Sequence, residues 1–253
     1  MNEFLHLEKG YHVHVYETGP DGNLNLHSLF NYFQDIASHH AVSLGYGRDD
    51  LLRNNTIWVL SRIYAEIASM PAWGTDIVIT TWPRGIDRLF ALRDYEVRSP
   101  EGDLIASATS SWLIVDATTR RIQRPDETLS RFRSEIPEGN ALPRNAGKLE
   151  PAEAEGSATS PFRVSISDLD INRHTNNVGY LKWVTDSYDL EFILDKVPRS
   201  AEINYLAESH YNEEVIIITS GSAGYRNIRN HSVRRTGDSV ELCRVQICWD
   251  NHN

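Results

Sequence analysis

The stretch Asp168-Leu-Asp-Ile-Asn-Arg-His-Thr-Asn-Asn177, continued at once by Val178-Gly-Tyr-Leu-Lys-Trp183, decides how this chain is read. Within it Asp170, Asn172 and His174 stand at i, i+2 and i+4. In an extended backbone, residues two apart point to the same side, so the spacing predicts a carboxylate, a carboxamide and an imidazole aimed into one space. Such a set can accept a proton, orient a water and donate to an oxyanion. Asx-rich runs in front of an apolar segment also make turns and helix caps, a reading that assigns these residues no chemistry. Asn176 and Asn177 themselves fit caps. From Asn177 to Leu194, the residues Val178, Leu181, Trp183, Val184, Tyr188, Phe192 and Ile193 recur at helical spacing and predict one long helix.

Outward from this helix the same order of elements occurs twice. A short strand over Phe162–Ile166 precedes the helix; strands over Ser200–Tyr211, Glu214–Gly221, His231–Arg235 and Val240–Trp249 follow it. In the first half a strand over Tyr11–Tyr16 precedes a helical stripe over Leu26–Leu44 closed by Gly45. Strands over Ile57–Ile67, Asp76–Trp82, Leu89–Arg98 and Leu104–Val115 complete that half. Ala65-Glu66 and Ala207-Glu208 fall in matching places, which adds residue-level support for an internal duplication. Between the halves, residues 134–161 mix Pro137, Pro143, Pro151 and Pro161 with Gly139, Gly147 and Gly156 and hold no aromatic residue, as a linker does. The expected division is therefore 1–133, a linker at 134–161, and 162–253. Two such copies can extend one sheet side by side and shield each other's edges.

Bulk properties restrict the function. With 253 residues and 40% hydrophobic content the chain can bury a sizeable core. A net charge of −10 disfavours general nucleic-acid binding. The apolar runs are far too short to span a membrane, and the N-terminus lacks the pattern of a signal peptide. The two cysteines, Cys243 and Cys248, fall five residues apart in one predicted strand, on opposite faces and unable to bridge, which fits a reduced, cytoplasmic setting. Two basic clusters stand out against the acidic whole: Arg120, Arg121 and Arg124, and Arg226, Arg229, Arg234 and Arg235. Each is either an ordinary solvated face or a docking surface for something anionic. No His/Cys cluster has zinc spacing, and no phosphate loop or nucleophile elbow is present, so no metal and no cofactor is expected.

The run Ser167 to Val184 resembles the acyl–acyl-carrier-protein thioesterases, the plant plastid enzymes that end fatty-acid synthesis and their bacterial relatives. Tyr16-Glu-Thr-Gly19, Asn31 to Gly45, Ile57-Trp-Val-Leu-Ser-Arg62, Pro71-Ala-Trp-Gly74, Arg93-Asp-Tyr-Glu-Val97, Ala106 to Trp112 and Thr119-Arg-Arg121 extend the resemblance over residues 11–211. The resemblance implies an α+β tandem hotdog fold, two antiparallel sheets each wrapping one long helix. The acyl pocket would lie mainly in the first half and the catalytic groups in the second. It assigns Asp170, Asn172 and His174 to the family's Asp-x-Asn-x-His motif and Glu208 to a strand carboxylate set against that motif. The next family position is commonly cysteine; here it is Ser209.

What this implies is hydrolysis of a fatty acyl-carrier-protein thioester by an activated water, with no side-chain nucleophile. Glu208 or Asp170 would deprotonate the water, His174 would position it or protonate the departing thiolate, and Asn172 would orient it. Backbone N–H groups near Asn176 to Val178 would meet the oxyanion. Carrier proteins of this class are acidic, which makes the two arginine clusters docking candidates. Two rival readings stay open: a hotdog hydrolase of coenzyme A thioesters, and an acyl-binding protein without catalysis. Monomer and homodimer are both compatible with a tandem chain.

Overall fold

The computed structural model describes residues 5–125, 129, 139–152, 158–221 and 227–252. The first half runs β1 (Leu7–His12), α1 (Leu26–Ser43), a short α2 (Arg48–Leu52), β2 (Thr56–Ile67), β3 (Asp76–Asp87), β4 (Phe90–Arg98), β5 (Leu104–Asp116) and β6 (Ile122–Gln123). The second runs β7 (Ala158–Arg163), α3 (Asn177–Asp186), α4 (Leu190–Asp195), β8 (Lys196–Tyr205), β9 (Glu214–Gly221), β10 (Asn227–Arg235) and β11 (Glu241–Asn251).

The two half-sheets are one. Antiparallel pairing of β2 with β8 joins them into an eleven-stranded sheet of order β1-β3-β4-β5-β2-β8-β11-β10-β9-β7, with β6 on β5. At the seam Ile63 faces Ile203 and Ala65 faces Ala201, all four buried. Small and β-branched residues let the two halves share one core, which an edge strand in either half alone would leave open to other chains. α1 and α3 pack against each other. Leu29, Phe33 and Ile36 of α1 and Leu181 and Val184 of α3 are fully buried on their inner stripes, each such side chain contributing roughly 1.5–3 kcal/mol. Phe30, Phe33 and Ile36 pack as core, Phe33 with its ring 5.0 Å from that of Tyr95.

The duplication is legible bond by bond. Ala68 and Ser69 donate to Ile105 O as Leu206 and Ala207 donate to Leu242 O, and Val13 N donates to Thr75 O as Val164 N donates to Glu213 O. These correspondences place Glu208 opposite Met70. The expected match of Glu208 with Glu66 is thus corrected: Glu66 lies on β2 and accepts from Tyr64 Oη at 2.7 Å.

Several expected boundaries shift for physical reasons. β1 is Leu7–His12 rather than Tyr11–Tyr16, because His14 N donates to Glu17 Oε2 and closes a 3₁₀ turn over Val15–Glu17. β7 ends at Arg163, since Ser165 N donates to Asp168 Oδ2 and starts the matching turn over Ile166–Asp168. β8 ends at Tyr205, so Glu208 sits in a loop and not in a strand. The single helix expected over Asn177–Leu194 breaks after Asp186. There Ser187 Oγ turns back to Val184 O, and Tyr188 stacks on Phe192 with its hydroxyl on His231 Nε2 at 2.8 Å.

Ahead of β7, the described part of the linker, residues 139–152, is a strap laid across the sheet and tied to it by side chains. Ala141 N donates to Asp94, Leu149 N to Asn204 and Ala152 N to Ser232 at 2.8–2.9 Å. Arg144 grips buried Glu202 through two hydrogen bonds of 2.9 and 2.8 Å. Leu142, Ala146, Leu149 and Ala152 of the strap are themselves buried, Leu142 and Ala146 packing with Tyr64. A groove of about 610 Å³ opens beside the strap, lined by Tyr64, Leu104, Leu142, Arg199 and Cys248, none of which belongs to the site described next.

Candidate active site

Asp170 to His174 is a tight turn, not the extended run that the spacing suggested. Asp170 N donates to His174 O at 2.8 Å and Arg173 N to Asp170 O at 3.0 Å, with Arg173 in the left-handed region at φ 65°. The Asp170 carboxylate holds this loop from inside: it accepts from Asn172 N (2.8 Å), His174 N (3.3 Å) and Asn172 Nδ2 (3.2 Å). A short carboxylate that bonds its own backbone offers the chain an alternative to a sheet ladder, which is why the period-of-two expectation fails here. Asp170 and Asn172 therefore shape the turn, and His174 follows it, paired through a β-bridge to His210.

The first half contains the same turn. Gly19 N donates to Asn23 O at 2.8 Å, Gly22 N to Gly19 O at 3.0 Å, and Leu24 N to Pro71 O at 2.8 Å, where Thr175 N donates to Ser209 O at 2.9 Å. Gly22, at φ 78°, occupies the place of Arg173. In that copy Asn23 stands at the position of His174 and Met70 at that of Glu208. Two turns with matching backbone hydrogen bonds thus differ at the His174 and Glu208 positions, and also in carrying Gly19 and Asp21 where the second half has Asp170 and Asn172.

In the second half those two meet. His174 Nδ1 lies 3.4 Å from Glu208 Oε1, with side-chain exposures of 29% and 40%. The same oxygen accepts from Arg120 Nη2 at 2.5 Å, an arginine contributed by the first half. The His210 ring packs edge-on against that of His174 at 4.9 Å between centroids. When Glu208 accepts from Nδ1–H, Nε2 of His174 is left as the basic nitrogen. At the adjoining N-terminus of α3, Asn176 N donates to Asp168 O at 2.8 Å and Val178 N to Asn176 Oδ1 at 3.1 Å. One N–H ties the loop and the other is capped, so the expected oxyanion donors in this stretch narrow to Asn177 N–H.

The N-terminal domain model of the acyl-ACP thioesterases matches residues 5–132 and the C-terminal domain model matches residues 152–251. The chain belongs to the acyl-ACP thioesterase family. It is 28% identical to oleoyl-acyl carrier protein thioesterase 1, chloroplastic, of Arabidopsis thaliana over 97% of this chain and 76% of that protein. It is 30% identical to the oleoyl-acyl carrier protein thioesterase of Coriandrum sativum over 85% of this chain, which spans 63% of that relative's length. The fold is that of an acyl-ACP thioesterase from Bacteroides thetaiotaomicron, with TM-score 0.85, 24% identity and coverage of 98% of this chain and 99% of that one. It is equally that of the 12:0-ACP thioesterase from Umbellularia californica, with TM-score 0.87, 22% identity and coverage of 98% of both chains.

Within an acyl-ACP thioesterase fold, the fate of Ser209 bears on the choice of nucleophile. Ser209 is fully buried, its Oγ 2.7 Å from Thr175 Oγ1 and 2.9 Å from Tyr180 Oη. Burial pushes the Tyr180 phenol up to about 12. The Ser209 hydroxyl is thus tied into a structural network with Thr175 and Tyr180, and among the described residues no histidine bonds it. Cys243 is a free, buried cysteine on β11, its thiol pushed well up by burial; a thiol held protonated is a poor nucleophile. Among the described residues no group of three or more His, Cys, Asp or Glu is arranged to hold a metal ion.

The docking candidates separate. Arg120 is drawn into the site, whereas Arg121 and Arg124 lie exposed beside it in sequence. Arg229 packs over the Phe192 ring at 5.6 Å, and Arg235 is paired with Glu213 and Asp238. Arg234 is half-buried near Glu241, and Arg226 lies outside the described residues. His210 and the Arg120–Glu208 pair were missed in the sequence. Adjacency to Ser209 could have flagged His210; nothing local could have flagged Arg120, which acts 88 residues away.

Proposed function

We propose that this chain hydrolyses the thioester of a fatty acyl–acyl-carrier-protein, using water activated by the His174–Glu208 pair. The observation that carries the reading is the difference between the two copies of the turn: His174 and Glu208 in one, Asn23 and Met70 in the other. Water adds to the thioester carbonyl as His174 Nε2 takes its proton, with Glu208 on Nδ1 stabilising the imidazolium. The tetrahedral oxyanion faces the N-terminus of α3, where Asn177 N–H and the helix dipole favour negative charge. Collapse breaks the C–S bond, and the imidazolium returns the proton to the leaving thiolate, giving fatty acid and free thiol. Asp170 and Asn172 act through the turn that sets His174. Exposed Arg121 and Arg124, close in sequence to Arg120, are the docking surface for an acidic carrier.

The division into 1–133, 134–161 and 162–253 is kept as part of this reading, with β7, which starts at Ala158, taking up the last residues of the linker span. So is a reducing compartment such as the cytoplasm, which a sequence with only two cysteines, Cys243 and Cys248, supports. The plant relatives carry "chloroplastic" in their names, and among the described residues no helix is long and apolar enough to cross a membrane. The test is to compare initial rates on one acyl group carried by acyl carrier protein and by coenzyme A, over a series of salt concentrations. The proposal expects the carrier thioester to have the higher kcat/KM and to lose it with added salt. Equal or greater activity on the coenzyme A thioester would favour the first rival, and no turnover on either would favour an acyl-binding protein.

A further inference from the structure

We propose that Arg120 is a positioning residue of the active site, reaching from the first half to hold Glu208 against His174. The inference rests on the reading of His174 and Glu208 as the catalytic pair. Glu208 stands in the loop after β8 with 40% of its side chain exposed, and its recorded partners are Arg120 and His174, both on Oε1. A half-exposed carboxylate on a loop samples several rotamers unless something fixes it. Arg120 Nη2 donates a hydrogen bond to Glu208 Oε1, whereas His174 Nδ1 stands 3.4 Å from the same oxygen as an ion-pair partner.

The turn that carries Arg120 is built for aim. Between β5 and β6, Asp116 Oδ1 accepts from Thr118 N at 3.0 Å, Thr119 N at 2.6 Å and Thr119 Oγ1 at 3.0 Å. Asn55 Nδ2 donates to Asp116 Oδ2 at 3.1 Å, and Arg120 N donates to Asp116 O at 2.9 Å. These bonds hold the Asp116 carboxyl below the usual carboxylate range, the backbone N–H of Thr119 contributing most. Arg120 itself adopts φ 59°, a left-handed position that glycine or asparagine occupies at least cost. An arginine held in a strained conformation by a rigid turn, with its guanidinium on a carboxylate of the other half, points to a role for its side chain. The first-half copy of the site has Met70 in place of Glu208, so no carboxylate stands at that position. Arg120 would thus make the catalytic geometry depend on both halves being docked.

The experiment uses the full chain carrying Arg120→Ala or Arg120→Lys. kcat and KM are measured on an acyl-carrier-protein thioester and on a small N-acetylcysteamine thioester that has no carrier surface. Nitrogen-15 NMR of substrate-free protein reads which ring nitrogen of neutral His174 bears the proton. Arg120→Ala should lower kcat by ~10–100-fold on both thioesters, leave KM within about twofold, and shift the His174 proton from Nδ1 towards a mixture of tautomers. Arg120→Lys, which keeps a cation within reach, should recover much of kcat. A rise in KM for the carrier thioester alone, with kcat and the tautomer unchanged, would make Arg120 a docking residue and overturn the proposal. If wild type turned over neither thioester, the proposed function would fail, while the tautomer of His174 would still decide whether Arg120 positions Glu208.

Discussion

Replacing His231 with glutamine separates one buried histidine from the rest of the acid response. His231 is 1% exposed on β10, with Nδ1 2.9 Å from Thr219 Oγ1 and Nε2 2.8 Å from Tyr188 Oη. Burial, and after it the Arg229 cation, pull its pKa down from 6.5 to about 3. Thr219 on β9, Tyr188 before α4 and Arg229 on its own strand face it, Trp249 on β11 bonds the Tyr188 hydroxyl, and among the described residues no carboxylate contributes to its shift. The folded protein therefore keeps His231 neutral at pH values where the unfolded chain protonates it. The stabilising contribution is full above about pH 6.5 and is lost as pH falls towards 3, because the unfolded state binds the extra proton. At ~1.4 kcal/mol per unit below the unfolded value, the loss between pH 7 and pH 5 is about 2 kcal/mol. Urea unfolding of wild type and His231→Gln at pH 7, 6 and 5 checks this. Glutamine can donate to one partner and accept from the other, and its stability should fall by about 2 kcal/mol less than that of wild type over the interval. His6 and His27, also depressed by burial, titrate in both proteins and cancel in the comparison. Parallel stability–pH curves would refute the reasoning.

Ser209→Ala removes a hydroxyl shared with Thr175 and Tyr180; it should cost about 1 kcal/mol in urea unfolding and leave kcat within about twofold. A collapse of kcat with unchanged stability would restore serine as a nucleophile. Arg144→Ala strips the strap's cation from Glu202, whose side chain is 7% exposed. Breaking a buried pair costs ~3–5 kcal/mol, and because Arg144 is itself 45% exposed the expected loss is ~2 kcal/mol. Unfolding free energies within roughly 0.5 kcal/mol of wild type would show that the strap is not anchored there.

The architecture was legible because hydrophobic periodicity and duplication are carried by many residues at once. The stripe of α1 and the alternation along β2 to β5 survive a misplaced boundary. The site was legible only in part. The motif named Asp170, Asn172 and His174, but spacing by two suggested a row of side chains. The backbone instead closed on the Asp170 carboxylate. Family resemblance supplied Glu208, while the apparent echo with Glu66 was four residues out of register. The break before α4 depends on Tyr188 finding His231 and Phe192, contacts that no local pattern announces. Arg120 was read as a surface charge because its partner lies in the other half.

The central claim is that His174 and Glu208 together activate water. Its most direct test is kcat on an acyl-carrier-protein thioester for His174→Ala and Glu208→Gln, with folding verified by unfolding curves. Each variant should lose at least ~10²-fold, and the double variant little more than the worse single one, since the two act as a unit. Near-wild-type turnover in Glu208→Gln, with Ser209→Ala inactive, would contradict it.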